Sequence, residues 1–187
     1  MKILIAAAGS LGDTLPFVAL GLALQQRGHE VRLFASESYA GHAAGLPFTP
    51  VFNAADNDAL LRDPRVTDSR GGMSLIAEVS AAALPRAFEA MRAEVVPGQT
   101  LAVGSTLAFA TRLLKDALGV PTATVHLAPS VFRSVHEAPR LGPSGLLGQL
   151  PPALQRAAWW LIDRLVLDRL FTQPFNAYRR QLGLAPV

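Results

Sequence analysis

The chain has 187 residues, half of them hydrophobic, and a formal net charge of +3. That length holds one packed core and is short for two, and the lack of any block of five like charges argues against a nucleic-acid surface. With no cysteine, disulfides and thiolate metal sites are excluded, and no uncharged stretch reaches the length of a membrane span.

Lys2 to Ala8 is an apolar run without an alternating polar face, and it breaks into Gly9-Ser10-Leu11-Gly12-Asp13-Thr14-Leu15-Pro16. A strand buried on both faces, then a glycine turn and a helix, is the opening unit of a parallel α/β sheet. The helix is expected over Thr14 to Arg27, with Pro16 in its first turn and Gly28 past its end. His29 to Ser36 reads as the second strand, which completes one β-α-β unit. A short helix over Ser38 to Gly45 precedes a strand at Phe48 to Phe52, which Pro50 confines to the sheet edge. Asn53 to Gly72 reads as a mobile loop with at most one helical turn. Met73 to Val95 reads as a long helix, kinked or broken at Pro85.

A third buried strand over Thr100 to Ser105, a helix from Thr106 to Leu118 stopped by Gly119, and a strand from Pro121 to His126 make a second β-α-β unit. The fold class is therefore an α/β, Rossmann-like, doubly wound parallel sheet. Leu127 to Gly148 is a proline- and glycine-rich loop on the ligand side. Two helices follow, Pro151 to Phe171 and Pro174 to Leu182.

Ligands of such sheets bind beyond the carboxyl ends of the strands, where Gly9 to Asp13 falls. The glycines let backbone approach a ligand closely, and the N–H groups opening the next helix favour an anion such as a diphosphate. The spacing fits neither the dinucleotide fingerprint nor the phosphate loop with its Gly-Lys-Ser ending. A plain strand-to-helix turn capped by Asp13 satisfies the same pattern, and spacing alone does not separate the two readings. Ser105, Thr106 and His126 fall at the ends of later strands on the ligand side. Either hydroxyl also serves as an ordinary helix N-cap, and His126 as a ligand contact or a partner for backbone. The histidines show no metal-ligand spacing, and no metal or cofactor is expected. The helix carrying Trp159-Trp160 with Arg156, Arg164 and Arg169 packs on its own domain or a missing one, or docks on a membrane surface or lipid-like acceptor, where Asp163 and Asp168 would oppose an anionic membrane.

Lys2-Ile3-Leu4 through Gly9-Ser10-Leu11-Gly12-Asp13-Thr14-Leu15-Pro16, then Arg27-Gly28-His29-Glu30-Val31, resembles the start of family 28-type and family 1-type glycosyltransferases. These comprise sterol, glycolipid and antibiotic glycosyltransferases with two facing Rossmann-like domains, the GT-B architecture. Leu118-Gly119-Val120-Pro121 fits the same pattern. So does the tail from Trp159-Trp160 through Asn176-Ala177-Tyr178-Arg179-Arg180-Gln181-Leu182-Gly183-Leu184-Ala185-Pro186, which is nearest to rhamnosyltransferase-like bacterial members.

The resemblance implies inverting transfer of a hexose from a nucleotide diphosphate sugar, such as a UDP-sugar, to a hydroxyl of a lipid or other small apolar acceptor. Asp13 would be the general base, with Gly9, Ser10, Gly12, Ser105, Thr106 and His126 binding substrate. The loops over Asn53 to Gly72 and Leu127 to Gly148 would shape the acceptor pocket. The family's donor site, with its His-Gly-Gly signature, has no counterpart in these residues. Residues 1–187 are thus expected to be one N-terminal domain, incomplete at its C-terminal end. It would lack the C-terminal nucleotide-sugar domain and be inactive by itself, and it would pair with a donor-binding domain or subunit. The alternative is a non-catalytic scaffold subunit. The expected location is the cytoplasm, with peripheral contact at the inner membrane face.

Overall fold

The computed structural model describes residues 1–68, 71–132, 134 and 150–187. Five strands form one sheet in the order β3-β2-β1-β4-β5: β1 (Lys2–Ala6), β2 (Glu30–Ser36), β3 (Phe48–Phe52), β4 (Thr100–Ser105) and β5 (Thr122–Val125). Every neighbouring pair is parallel. β1 is central, and its side chains alternate between two cores. Ile3, Ile5 and Ala7 join Val31, Leu33 and Val103 on the face covered by Phe17 and Val18 of α1 (Leu11–Gln26). Leu4 and Ala6 join Phe34 and Ala102 on the other face. That face is covered by Phe88 and Met91 of α3 (Gly71–Arg92), Leu113 and Leu114 of α4 (Phe109–Leu118), and Phe175 of α6 (Gln173–Gln181). A strand buried on both sides has no solvent face to encode, hence the unbroken apolar run.

Pro50 sits on β3, an edge strand, as its missing N–H requires. Beside it the β2–β3 register shifts between Ala35 and Ser36, so that Ser36 pairs with Phe52. At Gly104 of β4 a Cβ would lie 2.6 Å from Thr111 Oγ1 and 2.9 Å from its Cγ2, so only glycine lets α4 approach the sheet this closely.

Several elements differ from the sequence-based expectation. α1 starts at Leu11 with Ser10 as N-cap, so Pro16 lies in its second turn and cannot donate to the Gly12 carbonyl. Asn53 to Gly72 is not a loop. It contains α2 (Ala54–Arg62) and a 3₁₀ turn over Pro64–Thr67. Asn53 Oδ1 accepts from the Asp56 N–H at 2.7 Å, and Glu37 Oε2 accepts from the Ala54 N–H at 3.0 Å, so the first turn of α2 is capped twice. Arg65 then ties the 3₁₀ turn to α3, reaching Asp63 at 2.9 Å and Glu78 at 3.0 Å. α3 runs through Pro85 as one helix of 22 residues.

α4 starts at Phe109, and its N-cap is Ala108, neither Ser105 nor Thr106. After α5 (Pro152–Ile162) the chain continues through a π-helical stretch, Asp163–Thr172, into α6 without leaving helical dihedrals at Thr172. The expected break before Pro174 is absent. The wider turns ahead of it take up a residue that has no N–H to donate. Trp159 is buried and Trp160 is 65% exposed. Among the described residues no helix is long and apolar enough to cross a membrane.

Charge gathers at the amino-terminal ends of the strands. Lys2 Nζ donates to Glu94 Oε2 at 2.6 Å, and Arg32 Nε lies 3.3 Å from Glu94 Oε1. The hydrogen bond from Lys2 and the nearby Arg32 charge hold the Glu94 carboxyl below its ordinary value. A carboxyl lowered in the folded state contributes stability that is complete above its unfolded value and disappears as pH falls through the folded one. Glu94→Gln should therefore flatten the acid limb of the stability–pH curve below about pH 4.5, as measured by urea denaturation across pH. A limb of unchanged slope would contradict this.

Candidate functional site

The site grows out of the end of β1. The Ala8 N–H donates to Ser105 Oγ at 2.9 Å, and the Ser105 hydroxyl reaches the Ala8 carbonyl at 3.3 Å, which fastens the end of β1 to that of β4. At Gly9 the backbone turns to φ +132°, a region side chains avoid. Ser10 then caps α1, and Asp13, in the helix's first turn, folds back onto it. Asp13 Oδ2 accepts from both the Ser10 N–H and the Ser10 hydroxyl, each at 2.8 Å. The carboxylate also lies at the positive end of the α1 dipole. A Cβ on Gly9 would lie 2.5 Å from Asp13 Oδ2, so this position is closed to any side chain. Asp13 Oδ1 makes no hydrogen bond among the described residues.

Beyond this turn lies a cavity of about 370 Å³ at the carboxyl ends of β1 to β4. Its lining includes the end of β1 and the residues after β4, between which the strand order reverses, the place such sheets offer to ligands. Gly9, Ser10 and Asp13 form one wall, Leu75, Ile76 and Val79 of α3 another, and Leu107 to Ala110 a third. α2 closes the far side with Asn57, Leu60 and Leu61. The lining is mostly apolar, and Asp13 is the sole charged residue among the described residues that form it. Such a wall excludes water and strengthens any polar contact made inside it.

The structure therefore brings together three of the residues singled out in the sequence, Gly9, Ser10 and Asp13. Gly12 is exposed at the start of α1, outside the lining. Ser105 is buried with its hydroxyl on Ala8. Thr106 Oγ1 and His126 Nδ1 lie 3.0 Å apart, and the His126 ring stands edge-on to Phe132 with centroids 5.1 Å apart. Neither Thr106 nor His126 lines the cavity. In the stretch from Leu127 to Gly148, Pro129–Val131 forms a 3₁₀ turn, while residues 133 and 135–149 lie outside the described residues. Among the described residues no group of three His, Cys, Asp or Glu is placed to hold a metal.

Sequence reasoning missed Tyr39, Asn57 and the α2 leucines. One signal was present: Asn53 followed three residues later by Asp56 is a helix-start pattern of the capping-box kind.

Two glycine substitutions separate the constraints on the turn. Gly9→Ala should lower stability by about 1–3 kcal/mol, because it meets both the backbone strain and the Asp13 carboxylate. At Gly12 a Cβ has only an ordinary contact, 3.5 Å from Ser10 Oγ, so Gly12→Ala should be neutral or stabilising by up to about 1 kcal/mol. Urea denaturation of both variants checks this, and equal losses would contradict it.

No protein-family model matches the chain. It is 28% identical over 200 residues to Glycosyltransferase GtfC of Amycolatopsis orientalis, covering 100% of this chain and 45% of that protein. It is 30% identical over 192 residues to the dTDP-epi-vancosaminyltransferase of the same organism, covering 100% of this chain and 42% of the relative. The chain thus spans less than half the length of the curated relatives it matches. Among solved structures, the glycosyltransferase SnogD from Streptomyces nogalater matches with a TM-score of 0.62, over 100% of this chain and 42% of its own. At 21% identity that likeness speaks to the fold. Relatives and fold agree with the resemblance carried by the opening motif: over its whole length the chain is similar to part of several glycosyltransferases, consistent with the N-terminal domain of the GT-B architecture.

Proposed function

We propose that residues 1–187 form the acceptor-binding domain of an inverting glycosyltransferase, with Asp13 as its general base. The observation that carries this reading is the placement of Asp13: the one charged residue among the described residues lining a largely apolar cavity, held by Ser10 through Oδ2 alone among them. An apolar molecule bearing a hydroxyl fits such a cavity, whose volume is at the small end of the range for ligand pockets, about 300–1,000 Å³. Lipid-like alcohols and polycyclic aglycones belong to that class.

In the reaction the acceptor hydroxyl oxygen bonds to the anomeric carbon of the sugar on the face opposite the diphosphate. The bond from that carbon to the diphosphate oxygen breaks, and the nucleoside diphosphate leaves with the electron pair. The hydroxyl proton passes to Asp13. The bonds from Ser10 keep the carboxylate still, so little reorganisation is needed when the hydroxyl arrives. The donor is a nucleoside diphosphate sugar. One relative is named a dTDP-epi-vancosaminyltransferase, which supports a nucleotide-linked sugar as donor. A second, donor-binding domain or subunit would face the carboxyl ends of this sheet, and the 187 residues by themselves would not sustain transfer.

Asp13→Asn, made in the protein that includes the donor-binding domain, should lower turnover by about 10²–10⁴-fold while nucleotide-sugar binding stays within a few-fold. Near-normal turnover would remove Asp13 from the mechanism. Sustained sugar transfer by purified residues 1–187 would contradict the divided site.

A further inference from the structure

Two neighbouring polar groups on the cavity wall, Asn57 and Tyr39, take no part in the proposed proton transfer. Asn57 of α2 is 5% exposed and lines the cavity. Its carboxamide offers two donors and an acceptor, yet its side chain has one partner among the described residues, the Tyr39 hydroxyl at 3.5 Å. Tyr39 lines the same wall. Buried polar groups are nearly always paired, and leaving one unpaired costs more than a made bond returns. On this wall of a mostly apolar cavity, Asn57 and Tyr39 have only each other as side-chain partners among the described residues, and the Asn57 amide donors are left for a ligand.

We infer that Asn57 and Tyr39 form a second polar anchor of the acceptor cavity, which takes a neutral hydrogen-bond-accepting oxygen on the acceptor. The inference rests on the acceptor-site reading above. Asp13 follows β1, Tyr39 follows β2, and Asn57 follows β3, so the anchor lies one to two strands towards the sheet edge. At ~4.8 Å per strand that is about 5–10 Å from the base. The favoured acceptor therefore carries its reacting hydroxyl at one end and a carbonyl, ether or second hydroxyl at the other. A carboxylate is disfavoured, because the described lining has no cation to pair with it. The anchor fixes which hydroxyl of an acceptor meets Asp13.

Two probes that differ by one oxygen test this: 6-acetyl-2-naphthol and 6-ethyl-2-naphthol, titrated into the 187-residue chain by calorimetry. The wild type should bind the acetyl compound about three- to tenfold more tightly, the worth of one neutral hydrogen bond. Asn57→Leu should abolish that preference while still binding the ethyl compound, and Tyr39→Phe should reduce it. If Asn57→Leu fails to fold, the Asn57 side-chain amide signal of the ¹⁵N-labelled wild type is read instead. It should move with the acetyl probe and stay in place with the ethyl one. Equal affinities in the wild type, or an unmoved amide signal, would overturn the anchor and leave the acceptor cavity standing. Binding of neither probe would overturn the acceptor-site reading and the anchor with it.

Discussion

The Asp13 carboxylate closing on Ser10 is the contact on which the rest of the site depends. It ends β1 and begins α1, because without it the Ser10 N–H at the helix start would lack its 2.8 Å partner. The contact needs a residue without a side chain at Gly9, which lets the carboxylate lie against the turn. The same group that holds the turn also faces the cavity. Capping engages Oδ2 alone, and Oδ1 makes no hydrogen bond among the described residues.

A central parallel strand with no solvent face sets the layout around this turn. Helices must cover both sides of β1, and the cover on one side, α3, extends past the strand ends to wall the cavity with Leu75, Ile76 and Val79. The sheet is polarised along its strands. Lys2, Arg32 and Glu94 pair at the amino-terminal ends, while the lining described at the carboxyl ends has one acid and no base. A single carboxylate in an apolar surround is poorly screened, which makes its interaction with an approaching hydroxyl larger than it would be in water.

The cavity owes its polar far side to α2 and to the short turn after β2. Asn53 and Glu37 cap α2 from two separate segments, and Arg65 ties the 3₁₀ turn that follows it to Glu78 of α3. These are contacts between short elements of low intrinsic stability. They exist because β3 returns the chain beside β2, which brings Glu37 within reach of Ala54. Pro50 contributes twice: it marks β3 as an edge, and it lies beside the register shift at Ser36.

The fold and one wall of the site were legible in the residues themselves. The apolar runs, the glycine turn, Gly119 as a helix stop and Pro50 at the edge act locally, through side-chain sterics and backbone donors that sequence displays directly. The Asn53-to-Asp56 start of α2 was legible in the same way and was outweighed by the acidic, proline- and glycine-containing stretch around it. Two things only the tertiary structure decided. It gave Ser105 to the Ala8 backbone and paired Thr106 with His126, outside the lining. It also set Tyr39, Asn57 and Ser36 on the cavity wall with Asp13. Residues near the ends of different strands meet or miss according to strand order, register and helix cover. Those are long-range properties that no local spacing encodes, which is why the glycine turn with Asp13 was legible in its motif while the residues beside it on the cavity wall were not.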